Sequence, residues 1–154
     1  MPGVSPESPG FWDARAKRYP TLASGVPDLL VRRVARAAGR RGSVIDVGAG
    51  PGRHALPLAA RVAAVTAVDS SPGMLAVLGR EARRRDITNL TLVKARWGEV
   101  EVAPAEVVLA SNVVPLVAEA GTFLAAMDRA ATRRAFVSMN AVSTDSLVDP
   151  IWRH

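Results

Sequence analysis

The residues of this chain best suited to chemistry lie in one run, Val44-Ile45-Asp46-Val47-Gly48-Ala49-Gly50-Pro51-Gly52-Arg53-His54. An apolar strand ends near an acid, passes through a glycine-rich turn and enters a helix. Gly48 allows the tight turn. Gly50 removes a side chain where a ligand must approach the backbone, and Gly52 leads into a helix whose unsatisfied N–H groups favour an anionic group. This is the context of a nucleotide-type cofactor. The spacing is G-x-G-x-G, with Arg53 where a dinucleotide fingerprint would continue, and there is no G-K-[ST] ending of a phosphate loop. A second acid, Asp69, follows Gly48 by about 20 residues, the interval at which a carboxylate meets ribose hydroxyls. Its two oxygens accept from both O–H groups of a ribose, and its charge repels a 2′-phosphate.

With Ala67-Val68-Asp69-Ser70-Ser71-Pro72-Gly73-Met74-Leu75 added, these motifs resemble those of the class I, Rossmann-like S-adenosylmethionine-dependent methyltransferases. The resemblance spans residues 42–139. It implies a methyltransferase that uses S-adenosylmethionine and releases S-adenosylhomocysteine. By position, Gly48, Gly50 and Gly52, with Ala49 between them, would line the methionine and ribose part of the cofactor, and Asp46 would sit near its ammonium group. Asp69 would hold the ribose, and Ser70 and Met74 would lie by the adenine. The segment Ala95-Arg96-Trp97 would close the other side, in a place where many relatives carry an Asp; Trp97 either stacks there or packs. Asn112, just past a strand end, would touch cofactor or substrate. The signature [DNS]-P-P-[FYW] of amino-methyltransferases is absent, which argues against exocyclic amines of DNA bases as acceptors.

Methyl transfer from a sulfonium needs chiefly positioning, so the sequence nominates no catalytic base. His54 reads as a capping or packing residue before it reads as a base, and nothing resembles a metal site. Trp12 and Tyr19 are candidates for covering the cofactor or binding an acceptor, with ordinary packing as the alternative.

The elements that would position these residues follow from periodicity. Strand-like runs at 43–47, 63–68, 90–94, 106–111 and 135–139 alternate with helical runs at 53–61, 72–85 and 119–133, preceded by an amphipathic helix at 26–40. The fold class is α/β: a doubly wound, mostly parallel sheet of about five strands with helices on both faces, for which the resemblance implies the order 3-2-1-4-5. We read 1–154 as one domain, with an irregular or partly helical arm at 1–25 that could fold over a cleft, and a core at 26–154. The family's sheet has seven strands, in the order 3-2-1-4-5-7-6, two more than the runs read from this sequence. That implies a truncated form, or a homo-oligomer that completes the sheet edge.

Composition bounds the rest. The 154 residues contain no cysteine, which excludes a disulfide scaffold and a thiolate site. Neither a secretory signal nor a membrane span is visible, so the expected location is cytoplasmic, without a membrane partner. The formal charge of +6 comes mostly from arginine, in groups at Arg32, Arg33, Arg36, Arg40 and Arg41 and at Arg80, Arg83, Arg84 and Arg85. These read first as solvated helix faces. The acceptor is expected to be a small molecule. The alternatives are an RNA or protein methyltransferase, for which the arginines are the support, and a non-catalytic S-adenosylmethionine-binding module.

Overall fold

A computed structural model of the chain describes residues 9–16 and 28–139. In order, these form α1 (Pro9–Ala16), α2 (Asp28–Ala38), β1 (Ser43–Val47), α3 (Ala55–Ala59), β2 (Ala64–Asp69), α4 (Pro72–Arg84), β3 (Leu90–Lys94), β4 (Ala105–Ser111), a 3-10 turn (Val114–Leu116), α5 (Ala120–Ala130) and β5 (Ala131–Ser138). All the strands pair in parallel, in the order β3-β2-β1-β4-β5.

Parallel strands covered on both faces are apolar nearly throughout, and Val107, Val108, Leu109 and Ala110 of β4 are fully buried. One face, with Val44, Val65, Ala67, Val107 and Leu109, packs against Val31 and Val34 of α2, Leu56 and Leu58 of α3, and Leu75 and Leu78 of α4. The other face, with Ile45, Val47, Val68, Val108 and Ala110, packs against Phe123 and Met127 of α5. The two-residue period of a strand therefore puts Asp46 on the same face as Val44, toward α3.

Helix ends are fixed locally. Ser71 caps α4, its Oγ accepting from the Met74 N–H at 3.1 Å, and Pro72 takes the first helical position. The C-terminus of α2 is satisfied from far along the chain. Arg133 Nη1 donates to the carbonyls of Ala37 and Ala38 at 3.4 and 3.3 Å, a cation where the helix dipole favours one.

The observed elements differ from the sequence expectation at several ends. The strand expected at 135–139 begins at Ala131 and stops at Ser138, because α5 ends at Ala130 and the polar run Thr132-Arg133-Arg134 continues as exposed edge strand. The helix expected at 53–61 is only Ala55–Ala59, since residues 51–54 stay in the turn that follows β1. Within the arm, α1 is a helix that buries Phe11 and Ala16, so this part packs as an element of the core. Tyr19, and the final Trp152, Arg153 and His154, lie outside the described residues.

Candidate functional site

Every strand of a parallel sheet points its C-terminal end the same way, and a crevice opens where the order reverses, here between β1 and β4. The loops after β1, β2, β3 and β4 meet there around a cavity of about 390 Å³, within the size range of small-molecule sites. Gly48, Ala49, Gly50, Asp69, Ser70, Met74, Arg96, Trp97 and Asn112 line it, joined by Trp12 of α1 and by Arg53, His54, Glu99, Val113, Leu116, Val117 and Phe123. Asp46 and Gly52 do not.

Asp69, at the end of β2, ties two loops together. Its Oδ2 accepts from the Gly50 N–H at 2.7 Å and its Oδ1 from the Ser71 N–H at 2.8 Å. Burial raises its pKa, while the hydrogen bonds from Ser71 and Gly50 oppose the shift. Each oxygen keeps a lone pair beyond the one already engaged. Gly50 has φ of +54°, and a Cβ built there would meet nothing within 4 Å. The backbone at this point is therefore bare toward the cavity, as close approach of a ligand requires.

Gly52 serves a different purpose. Its φ is +95°, and a Cβ there would collide with Leu78 of α4 and crowd Leu56. It lets α3 pack on α4, away from the cavity. Which glycine of the run faces a ligand is a tertiary matter that the spacing did not encode.

Trp97, also on the cavity wall, is half-buried, and its Nε1 donates to the Phe123 carbonyl at 3.3 Å. The bond pins the loop after β3 to the start of α5, so the indole both packs and presents a surface to the cavity. Asn112 closes the end of β4 with φ of +57°, its N–H donating to the Ser138 carbonyl at 2.7 Å. A positive φ is tolerated by Asn better than by most residues.

Two buried titratable groups flank the glycine turn. Asp46 is almost inaccessible, and its Oδ2 has no hydrogen-bond partner. Burial pushes its pKa from 3.8 to about 7, against a hydrogen bond from the Ala55 N–H and with help from the Asp69 charge. The sequence expectation placed Asp46 near a cofactor ammonium; the structure places it beneath the turn, bracing α3. His54 stands at the start of α3 without a side-chain capping bond. It lines the cavity instead, and burial, with the nearby Arg53 charge, pushes its pKa down to about 4.

These shifts act on stability with opposite signs. Between about pH 4 and 7 folded Asp46 holds a proton that the unfolded chain has released, so its contribution falls as pH rises. Between about pH 4 and 6.5 the unfolded chain holds a proton that folded His54 lacks, so this contribution rises with pH. In the wild type the two slopes offset. Asp46→Asn is expected to leave the His54 slope, with urea-unfolding stability climbing by about 1 kcal/mol per pH unit from pH 4.5 to 6.5. His54→Gln should show the reverse trend. Flat profiles in both variants would refute this assignment.

Among the described residues, no group of His, Cys, Asp and Glu could hold a metal ion, and no helix is long and apolar enough to cross a membrane. A wider hollow of about 680 Å³ lies toward the N-terminal ends of the strands, between α2 and β5. It is lined by Arg33, Arg36, Ala37, Arg133, Arg134 and Phe136. It offers positive charge but none of the converging loop backbone found at the other end.

Comparison with known proteins agrees with the architecture. Residues 44–134 match the family described as "Methyltransferase domain". An uncharacterized protein of Haemophilus influenzae is 32% identical over 105 residues, which are 66% of this chain and 39% of that protein. The chain thus spans well under half the length of that relative. A Methanococcus maripaludis protein assigned as an S-adenosylmethionine-dependent methyltransferase superposes with a TM-score of 0.74 at 15% identity, covering 99% of this chain and 74% of that one. Magnesium protoporphyrin IX methyltransferase of Synechocystis, solved with S-adenosylhomocysteine, gives 0.73 at 20% identity, covering 94% and 74%. At these identities the structural likeness is one of fold.

Proposed function

The chain belongs to the methyltransferase-domain family, and from that premise we propose that it binds S-adenosylmethionine in the crevice between β1 and β4 and transfers its methyl group to a small-molecule acceptor. The observation that carries this reading is the placement of bare Gly50 and the Asp69 carboxylate on one wall, joined by a 2.7 Å hydrogen bond. The residues present fit the cofactor. The remaining lone pairs of Asp69 suit the two ribose hydroxyls, Ser70 and Met74 form the wall for the adenine with Arg96 and Trp97 across from them, and the glycine turn accommodates the methionine part. Asn112 stands where cofactor and acceptor meet.

When bound, the cofactor supplies an activated methyl group on a sulfonium. The chain's own work is to orient the acceptor and exclude water, which suffices for an in-line displacement. Val113, Leu116, Val117 and Phe123 give the acceptor side an apolar lining. His54, neutral near pH 7, puts no positive charge beside a cationic ligand. Its depressed pKa also makes it a weak base, so it is not assigned a proton-transfer role.

Parallel calorimetric titrations with S-adenosylmethionine and with NAD test the cofactor. Micromolar binding of the first and none of the second is expected, and the reverse would overturn the reading. Formation of S-adenosylhomocysteine from a pool of small metabolites tests turnover; its absence with every pool would favour a non-catalytic binding module. The arginine hollow is the one observation favouring an RNA acceptor. Turnover on RNA with an affinity that collapses between 50 and 200 mM salt would replace the small-molecule reading.

A further inference from the structure

Building on the cofactor reading above, we infer that α1 is a docked cover of the same site, with Trp12 as a cofactor-contacting residue and Asp13 as the positioning residue that holds it in place. Trp12 lines the cavity together with Gly50 and Asp69. The next residue, Asp13, reaches the N-terminus of α4: its Oδ1 accepts from Ser71 Oγ at 2.6 Å and from the Gly73 N–H at 2.8 Å. These bonds hold the Asp13 carboxyl below its ordinary pKa.

The contact is close as well as polar. A Cβ at Gly73 would lie 2.9 Å from Asp13 Oδ1 and 3.2 Å from both Asp13 Cα and Ala16 Cβ. Glycine at this position lets the two helices meet. Phe11 and Ala16 are buried, the Phe11 and Trp12 rings meet edge to face at 5.0 Å, and the Arg15 guanidinium lies 3.4 Å from the Phe11 ring centre. The orientation of Trp12 is therefore set by its neighbours.

Two consequences follow from the size and wiring of this element. A helix of eight residues is not stable in water by itself, so α1 owes its order to docking. Its anchor is also shared with the ribose side: Ser71 donates its N–H to Asp69 and its hydroxyl to Asp13 while capping α4. Cofactor seated between Asp69 and Trp12 adds contacts only when α1 is docked, and so favours the docked state. The cover should act mainly on how fast the cofactor leaves.

The test is stopped-flow dissociation of S-adenosylhomocysteine from the full chain, with the unliganded melting temperature recorded for each variant. Asp13→Ala and Trp12→Ala are expected to release it about ten times faster, with a smaller change in association. Asp13→Asn retains an amide oxygen that can accept from Ser71 and Gly73, and should stay near the wild type. Gly73→Ala, although favourable to helix α4 by propensity, should also speed release by wedging the helices apart. The change in tryptophan emission on binding should shrink in Trp12→Phe. A wild-type chain that binds neither S-adenosylmethionine nor its product sinks the cofactor reading itself. Binding with unchanged release rates across Asp13→Ala, Trp12→Ala and Gly73→Ala sinks the cover alone, even if their melting temperatures fall.

Discussion

Asp69→Ala is expected to weaken S-adenosylmethionine binding by a hundredfold or more, the largest loss from any single change in the crevice. Two ribose hydroxyls would lose a charged acceptor; at about 1.5–3 kcal/mol for each hydrogen bond to a charged group, the loss spans roughly two to four decades. The same carboxylate orders the pocket before anything binds, because it holds the Gly50 and Ser71 N–H groups at 2.7 and 2.8 Å. Removing it leaves two loop donors unsatisfied, so some loss of unliganded stability should accompany the loss of affinity. Asp69→Asn separates the two effects. Its amide keeps one acceptor oxygen but turns an NH2 group toward a donor, and an affinity between those of wild type and alanine is expected. Calorimetry on folded protein, verified by circular dichroism, gives the answer. Affinity within about threefold of wild type in Asp69→Ala, a difference of less than 1 kcal/mol, would remove this carboxylate from the cofactor site.

Gly52→Ala should damage the fold far more than Gly50→Ala, where an added Cβ meets nothing within 4 Å. A positive φ of this kind costs a side chain about 1–3 kcal/mol, and the new Cβ would collide with Leu78 while crowding Leu56. Overpacking of a well-filled core adds a cost of similar size. A total near 3 kcal/mol corresponds to a melting temperature lower by about 6–12 °C for a chain of this length. The double variant Gly52→Ala with Leu78→Ala tests the mechanism, since it relieves the collision but not the backbone strain. The double variant is expected to be less destabilised than the sum of the two single variants by about 1 kcal/mol or more. Strict additivity would mean that the cost lies entirely in the backbone, and a melting temperature within 2 °C of wild type would refute both parts.

Much of this could be read from residues close together in the chain. Asp69 and the run from Val44 to His54 announce themselves because strand, turn, helix and acid follow one another at fixed intervals. The alternation of short apolar runs and helices indicates a parallel sheet, while the strand order comes with the family resemblance that the two motifs carry. What stayed hidden depends on contacts distant in sequence. Nothing local marks Asp13 as a partner of Ser71, 58 residues away. The burial of Asp46 reflects strand alternation together with the exact landing of α3, which the expected nine-residue helix did not capture. The start of β5 was obscured because Thr132, Arg133 and Arg134 read equally well as the polar end of α5. They become strand only through pairing with β4, where Arg134 lies beside Val107.

The strand order also imposes a timetable on synthesis. β1 gains β2 as a neighbour soon after both leave the ribosome, but its other edge pairs with β4, Val44 against Val107, 63 residues later. At translation rates of roughly 5–20 residues per second, that edge waits several seconds for its partner. Throughout that interval the nascent chain presents β1 with one unpaired edge beside the crevice-forming turn, the kind of edge that recruits other strands. Because the crevice lies between β1 and β4, the site itself is complete only once β4 has been made.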